Sequence, residues 1–496
     1  MNILLVYPEF SETFWSWKYL LKLIGKKAAF PPLGLLTVAA MLPKLWNIKL
    51  VDLNVCKLTV EDIIWADYVF ISAMLAQNNS TQDIIAHCNR LRVPVILGGP
   101  ILEMGHEKFA GAESFFYGEV ENTLQEFLED LGRGTVKKIY PPKNFPNLNT
   151  CPVPLWGLVN TKDYACMLVQ YGRGCPFRCT FCNIVAINGR VPRVKSSEQF
   201  LCELDAIYKT GFRGRIMFAD DNLIGNKTAV REMLPWLIRW QQAHGYPFSF
   251  SVEVDIRIAD EPDLMYKMVL AGFRSVFLGI ETPNKASLEE CGKTQNLNRD
   301  IVADVKKIHN HGLSVMSGFI IGFDADGPNV FEEHVRFYRQ SGIVFPMTGI
   351  LQVGLGTALH ARLKKEGRLL AGASGNNTDW LPNFVTKMPL ETLVKGYKHL
   401  WRTIYSPREY YERMRVFLRD YNTSNRVARR MIATDLRAFV VSIFCIGVFG
   451  GFETSYYYWK TLFLALFKHP RAFPDAVADQ ISGWHFRQIA ESIQKS

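Results

Sequence analysis

Residues 172–183 read GRGCPFRCTFCN and place three cysteines, Cys175, Cys179 and Cys182, within eight residues. The spacing C-x3-C-x2-C is one thiolate short of the four that normally hold an iron–sulfur cubane. Three protein thiolates leave one iron open to another ligand, just as a three-ligand catalytic zinc site leaves a position for substrate. The stretch therefore predicts a [4Fe–4S] cluster with one accessible iron.

Structural cysteines, a disulfide or a zinc knuckle are the simpler interpretations of the same stretch. A zinc knuckle needs a fourth Cys or His at close spacing. The next cysteine, Cys202, falls in a predicted helix, and no histidine follows in the loop. With only 10 cysteines in 496 residues, a chance cluster of three is also disfavoured.

The cysteine loop resembles that of the radical S-adenosylmethionine (SAM) enzymes, whose C-x3-C-x2-C signature carries an aromatic residue before its last cysteine. Phe181 fills that place. The resemblance implies that the open iron takes the amino and carboxylate groups of the methionine moiety. Electron transfer then cleaves the sulfonium to a 5′-deoxyadenosyl radical.

Length and composition indicate an enzyme of several modules. A chain of 496 residues, 48% of them hydrophobic, is expected to form two or three domains with normal cores. The net charge of +10 does not by itself separate nucleic acid, membrane or anionic partners. The other cysteines show no disulfide-like pattern, and the N-terminus reads as a strand rather than a signal peptide. We therefore expect a reducing, cytoplasmic location.

Residues 1–140 alternate apolar strands with helices, which predicts a doubly wound, flavodoxin-like α/β domain. The predicted strands are Met1–Tyr7, Ile48–Leu53, Tyr68–Ser72, Val93–Leu97 and Ser114–Tyr117, with helices at Leu33–Leu42 and Glu121–Leu131. The ligand of such a sheet lies beyond the carboxyl ends of its strands. The candidate ligand-contacting residues at those ends are small: Asn54, Ser72, Gly98, Gly99 and Gly118.

Five segments of this domain, FPPLGLL, VDLN, ISAM, LGGP and YGEVE, are similar to the cobalamin-binding domain that precedes the radical domain in many such enzymes. The resemblance implies cobalamin as a cofactor. The D-x-H-x-x-G motif that supplies a cobalt-ligating histidine has no match in residues 52–57, so no histidine ligand is expected. A plain flavodoxin-like docking domain is the alternative.

Residues 141–160 are rich in proline and asparagine and are predicted to be a linker. Residues 161–380 form a second strand–helix series, which predicts a partial TIM-like (β/α)6 barrel with its chemistry at the carboxyl strand ends. The predicted strands are Ala165–Tyr171, Gly214–Phe218, Phe248–Val254, Ser275–Ile280, Leu313–Ile321 and Thr348–Val353.

Candidate SAM-binding residues follow these strands. In the family, a motif at the place of Asp220, Asp221 and Asn222 holds the methionine amino group. Glu253 and Glu281 are candidates for hydrogen bonds to ribose or substrate, although helix caps or ion pairs explain single carboxylates about as well. The candidates for contact with adenine are Phe181, Gly318 and Gly322.

Residues 381–496 are predicted to be helical, with ten Lys or Arg against four acids between Lys398 and Arg437. Residues 438–452 are almost wholly apolar but fall short of the roughly 20 residues that span a bilayer. The pattern fits either a buried helical hairpin or an interfacial helix pair on an anionic membrane. The region resembles the C-terminal domain of cobalamin-dependent radical enzymes that include the hopanoid methylases.

Together these features predict a cobalamin-dependent radical SAM C-methyltransferase acting on a hydrophobic substrate, with lipid as one class. The resemblance implies reduced ferredoxin or flavodoxin as electron donor, and no nucleic-acid-binding signature is present. One alternative is a cyclase or rearrangement enzyme without methyl transfer. Another is a cluster-bearing binding module without turnover. Peripheral association with the inner face of the membrane is a further expectation.

Overall fold

A computed structural model describes residues 1–370, 372–427 and 433–495 of the chain. The first 140 residues form a six-stranded, all-parallel sheet in the order β2-β1-β3-β4-β5-β6. The strands are β1 (Asn2–Tyr7), β2 (Asn47–Asp52), β3 (Tyr68–Ser72), β4 (Val95–Gly98), β5 (Ser114–Phe116) and β6 (Ile139–Tyr140). The accompanying helices are α1 (Lys18–Ile24), α2 (Leu33–Met41), α3 (Val60–Trp65), α4 (Asn78–Arg90) and α5 (Leu124–Arg133).

This sheet confirms the predicted doubly wound fold, because buried apolar residues cover both of its faces. The strand order reverses between β1 and β3, which places the ligand crevice beyond the carboxyl ends of those two strands. The sequence did not predict β6, a two-residue strand. It pairs with β5 through Phe115 and Ile139 and adds one strand to the edge of the sheet. Residues 141–160, all described, contain neither an α-helix nor a strand.

The second sheet is also parallel, in the order β14-β13-β12-β11-β10-β7, as a partial (β/α)6 barrel requires. Its strands are β7 (Cys166–Val169), β10 (Gly214–Phe218), β11 (Phe248–Val254), β12 (Phe273–Glu281), β13 (Ser314–Ile321) and β14 (Phe345–Ile350), and a small hairpin joins β8 (Gly172–Arg173) to β9 (Arg193–Val194). The helices are α6 (Ile184–Asn188), α7 (Ser197–Lys209), α8 (Lys227–Ala243), α9 (Pro262–Ala271), α10 (Lys285–Glu290), α11 (Ile301–Asn310), α12 (Val330–Ser341) and α13 (Ala358–Lys365).

The remainder of the chain is helical, as predicted, and shares a core with the barrel through residues such as Trp401 and Phe486. Its helices are α14 (Leu390–Ile404), α15 (Pro407–Asp420), α16 (Ala433–Ser442), a π-helical turn (Ile443–Val448), α17 (Phe452–Lys468) and α18 (Phe473–Lys495). Arg429 and Arg430 of the predicted basic stretch lie outside the described residues. In the described part of the chain, no helix combines the length and apolar character needed to cross a bilayer.

Candidate radical site between the two sheets

The cysteine loop lies at the carboxyl end of β7, between β8 and α6. Its backbone is held from both sides: the Cys175 N–H donates to the Gly189 carbonyl at 3.2 Å, and the Thr180 N–H donates to the Cys291 carbonyl at 2.9 Å. All three loop cysteines are half-buried. The loop therefore has a defined conformation that keeps its thiols partly accessible.

The three thiols lie close enough to influence one another electrostatically. Burial raises the pKa of Cys182 to about 12, and the neighbouring Cys179 and Cys175 add to that increase. Burial also raises the pKa of Cys175 and of Cys179. The thiolate is the form that binds metal, and a nearby cation favours it.

Lys293 supplies that cation, and the sequence had given no sign of it. Its charge lowers the pKa of all three loop cysteines. The Lys293 ammonium lies 2.6 Å from the Glu281 carboxylate, and both side chains are about nine-tenths buried. A Cβ at Gly279 would lie 2.5 Å from the Glu281 Oε1 and 2.6 Å from the Lys293 Nζ, so glycine leaves room for this pair.

The donor set fits an iron–sulfur cluster. Among the described residues, no three His, Cys, Asp or Glu side chains form a group that could hold one metal ion. A cubane does not require that convergence, because each thiolate binds a different iron. Cys175, Cys179 and Cys182 would hold three irons, while Lys293 would offset part of the negative charge of the cluster.

Asp220, Asp221 and Asn222 follow β10 and lie against the cysteine loop. Asp220 accepts hydrogen bonds from the backbone N–H groups of Tyr171 at 2.8 Å and Gly172 at 2.6 Å. Asp221 accepts one from the Gly174 N–H at 2.8 Å. These carboxylates therefore fix the start of the cysteine loop, and their contact with a methionine amino group stays a prediction.

Asn222 binds Asp255, to which its side-chain amide donates at 3.0 Å. Burial raises the pKa of Asp220 to about 7, and the nearby Asp221 adds to that effect although two backbone donors oppose it. Asp220 and Asp221 of the acidic run after β10 thus support the start of the cysteine loop.

Glu253, on β11, is the one predicted carboxylate for which the described residues provide neither a hydrogen bond nor an ion pair. Burial raises its pKa to about 8, helped by the charges of Asp221 and Glu281 and opposed by Lys293. These same neighbours place Glu253 beside the cysteine site. Glu281, in contrast, is paired with Lys293 and sits at φ 67°, a left-handed conformation that non-glycine residues rarely adopt.

The three candidates for adenine contact lie on different parts of the barrel end. Phe181 is partly buried and its ring centroid lies 6.3 Å from that of Phe323, so it contributes to packing. A Cβ at Gly318 would lie 3.2 Å from the Phe277 ring. Gly322 adopts φ 105° and donates its N–H to Asp326 at 2.8 Å. Their roles toward adenine stay predictions.

At the carboxyl edge of the first sheet, two of the predicted small residues, Gly99 and Gly118, are required by the packing of the chain itself. A Cβ at Gly99 would lie 2.7 Å from the Ala73 carbonyl oxygen and 3.0 Å from the Ser72 hydroxyl. Gly118 adopts φ 73° and faces Pro142. A Cβ at Gly98 would make only ordinary contacts with Phe116, so packing does not require glycine there, and its contact with a cofactor stays a prediction.

Asn54 has no free polar atom for a cofactor in this arrangement. Its amide donates to the Pro8 carbonyl at 3.1 Å and its oxygen accepts from the Phe10 N–H at 3.0 Å. Asn54 therefore tethers the loop that follows β1. Asn54 follows β2, one strand away from the switch point at β1 and β3. Its contact with a cofactor stays a prediction.

An ion-pair network joins the first sheet to the cysteine loop, and the sequence interpretation had missed it. Glu119, in the loop after β5, accepts from both Arg173 on β8 and Arg193 on β9. Arg173 also lies 2.7 Å from Glu121. Each of these side chains is less than 20% exposed. A second link runs from Asn183 to Glu103 at 2.7 Å.

These contacts bring the carboxyl ends of the two parallel sheets to one place. The acidic loops after β4 and β5 and the arginines flanking the cysteines were visible as charged residues in the sequence. Nothing in their spacing indicated that they pair across 50 to 80 positions.

Comparison with known proteins decides the family. Residues 169–338 match the radical SAM superfamily, and residues 357–496 match a domain of unknown function, DUF4070. The chain is 38% identical to an uncharacterized methyltransferase of Synechocystis, covering 100% of this chain and 93% of that protein. It is 32% identical to the hopanoid C-2 methylase of Rhodopseudomonas palustris, covering 87% of this chain and 81% of that enzyme. This chain belongs to the radical SAM methyltransferase family.

Solved structures agree on the fold of this radical SAM enzyme. The cobalamin-dependent SAM radical enzyme OxsB, with aqua-cobalamin bound, aligns with a TM-score of 0.62 at 15% identity over 100% of this chain and 80% of that chain. The radical SAM methyltransferase TsrM from Kitasatospora setae aligns with a TM-score of 0.57 at 15% identity, over 74% of this chain and 76% of that chain. Membership of the superfamily makes a [4Fe–4S] cluster and SAM the cofactors of the barrel domain.

Proposed function

We propose that this enzyme uses a [4Fe–4S] cluster, SAM and cobalamin to methylate an unactivated carbon of a hydrophobic small molecule such as a lipid. The observation that carries the proposal is the buried network of Glu119, Arg173 and Arg193. It holds the carboxyl edge of the first sheet, where a doubly wound domain binds its ligand, against the cysteine loop. The relationship to a hopanoid methylase supports a hydrophobic substrate.

When bound, the cluster supplies an electron for cleaving SAM and the corrinoid supplies a methyl group. The protein chain positions these cofactors and places charged side chains beside them. Asp220 and Asp221 hold the start of the cysteine loop, and Lys293 places a cation beside the thiolates. With a pKa near 8, Glu253 is mostly protonated at neutral pH, so it can donate a hydrogen bond to a ligand in the barrel. Reduced ferredoxin or flavodoxin is the proposed electron donor.

Labelled methyl transfer tests this function most directly. The reconstituted enzyme is incubated without oxygen with cobalamin, a low-potential reductant, SAM carrying a trideuterated methyl group, and an apolar extract of the source cells. We expect the label in a product soluble in organic solvent, together with S-adenosylhomocysteine and 5′-deoxyadenosine. A Cys179→Ala enzyme is the matched control and should transfer no label.

A cyclase or rearrangement enzyme is the second candidate, since the chain is 22% identical over 333 residues to an anaerobic magnesium-protoporphyrin IX monomethyl ester cyclase. If this chain were such an enzyme, the same assay would yield 5′-deoxyadenosine but no S-adenosylhomocysteine, and the product would carry no label. A binding module without turnover would form neither compound. The same assay therefore separates all three functions.

A further inference from the structure

The outer surface of the C-terminal helices carries an unusual concentration of exposed apolar side chains. Between residues 436 and 467, a segment we term the apolar hairpin, the structure exposes ten large apolar side chains, out of 27 in the whole described chain. Soluble monomers rarely expose contiguous apolar patches of this kind unless another surface covers them. The hairpin consists of α16, the π-helical turn and α17.

The exposed side chains form a stripe along each arm of the hairpin. On the first arm, Leu436, Val440, Phe444 and Val448 recur every four residues, and each is more than 40% exposed. The opposite side of this arm packs on α1 and α18 through a core that includes Ile446. A helix that is apolar on both its inner and outer faces needs a second apolar environment.

The second arm continues the stripe with aromatic rings. Tyr456, Phe463 and Phe467 face outward from α17, and the rings of Phe463 and Phe467 stack at 6.2 Å. At the turn between the arms, Phe449 and Phe452 are 79% and 92% exposed. They are two of the three most exposed large apolar side chains among the described residues.

Basic side chains accompany this apolar surface. Lys460, Lys468 and Arg471 are all exposed, whereas Glu453 is the exposed carboxylate of the hairpin. The Lys460 ammonium lies 5.4 Å from the centre of the Tyr456 ring. Aromatic rings beside lysines are typical of segments lying at the boundary between headgroups and acyl chains.

We propose that the apolar hairpin docks the enzyme on the surface of an anionic lipid bilayer. Two copies of the chain facing each other through this patch would bring the same basic residues together, which disfavours a symmetric dimer. An anionic bilayer satisfies both the apolar stripe and the positive charges. The proposal extends the proposed function, because a lipid-like substrate would be available at that surface.

Vesicle flotation of the enzyme tests the docking. We expect the wild type to float with vesicles of phosphatidylcholine and phosphatidylglycerol, and less with phosphatidylcholine alone. Phe449→Glu combined with Phe452→Glu should lower vesicle partitioning at least about tenfold. Leu45→Glu is the matched control, since Leu45 is 93% exposed but lies in the first domain, and it should leave partitioning unchanged.

A wild type that stays at the bottom of the gradient with both vesicle types would overturn the proposal. So would a wild type that dimerises in sedimentation equilibrium without floating, since a second copy would then cover the hairpin. If the phenylalanine variant does not fold, Lys460→Gln with Lys468→Gln decides, because it should abolish the preference for anionic vesicles. Flotation needs neither cofactors nor turnover, so its outcome is independent of the methyl-transfer assay.

Discussion

The ion pair of Lys293 and Glu281 makes a testable contribution to both stability and the site. Removing one partner of a buried pair leaves an uncompensated charge, which typically costs about 3–5 kcal/mol. We therefore expect Lys293→Met to lower the free energy of unfolding by roughly that amount. The double variant with Glu281→Gln should recover part of the loss. Urea unfolding of the four proteins measures this cycle, and additive effects would contradict it.

Glu253 predicts how stability changes with pH. Its folded-state pKa of about 8 lies above the ordinary value of 4.5, so the folded state binds the proton more tightly than the unfolded state. Stability from this group is present below pH 4.5 and is lost as the pH rises toward 8. Glu253→Gln should remove this loss, so the variant should gain on the order of 4 kcal/mol relative to wild type between pH 5 and pH 8, about 1.4 kcal/mol for each pH unit. If the urea midpoints of the wild type and of Glu253→Gln change equally between pH 5 and pH 8, the prediction is wrong.

Among individual residues, the three cysteines could be predicted as cluster ligands from the sequence, because that prediction depends on their local spacing alone. Lys293 could not be predicted, since its position beside the thiols depends on how the segment after α10 packs on the loop, where the Thr180 N–H donates to the Cys291 carbonyl. Asp220 and Asp221 were predicted to contact the methionine amino group, and that role stays a prediction. Their hydrogen bonds to the loop backbone became visible only in three dimensions.

Among the elements, the loop after β5 and the β8–β9 hairpin act as a clamp between the two sheets. Arg173→Met would leave Glu121 without its ion-pair partner and weaken the contact with Glu119. We expect more 5′-deoxyadenosine formed per methylated product, because SAM cleavage continues while the methyl donor is mispositioned. Arg178→Met, at an exposed position in the cysteine loop that follows β8, is the matched control.

A second measurement tests whether the clamp holds the two sheets together, independently of the ratio of products. Limited proteolysis within residues 141–160 should be faster in Arg173→Met than in wild type, since the first sheet would be held less firmly. Unchanged proteolysis together with an unchanged product ratio would show that the network is not needed for positioning.

Strand positions were predicted best where apolar runs end in polar residues, as at Gly214–Phe218 and Phe248–Val254. The last barrel strand was placed three residues late. Residues after Ile350 leave the sheet, and Val353 instead exchanges hydrogen bonds with the Asn383 side chain at 2.9 and 3.0 Å. A side-chain partner 30 residues away gives no local signal.

For the whole molecule, alternation of strands and helices was enough to predict two parallel α/β units followed by helices. It did not predict that the loop after β1 inserts between the barrel and the helical region. There Phe14 is 2% exposed, stacks on Trp401 at 5.1 Å and donates its N–H to Asn377 at 3.0 Å. Through these contacts, the loop after β1 joins the first domain to the C-terminal part of the chain.

Phe14 should therefore matter to the stability of the entire chain. Truncating a buried phenylalanine typically costs about 3–5 kcal/mol, and we expect Phe14→Ala to reduce the unfolding free energy by that amount. Leu45→Ala, at an exposed position, should change it by less than about 0.5 kcal/mol. Urea unfolding followed by circular dichroism makes the comparison. Similar midpoints for the two variants would contradict the inserted loop.

The central claim is that Cys175, Cys179 and Cys182 hold a cubane whose remaining iron binds SAM. Electron paramagnetic resonance of the anaerobically reconstituted, reduced enzyme, recorded with and without SAM, tests it most directly. We predict about four irons per chain and a cluster signal that shifts when SAM is added, both lost when the three cysteines are alanine. Zinc in place of iron, a signal indifferent to SAM, or a cluster retained by the alanine variant would contradict the claim.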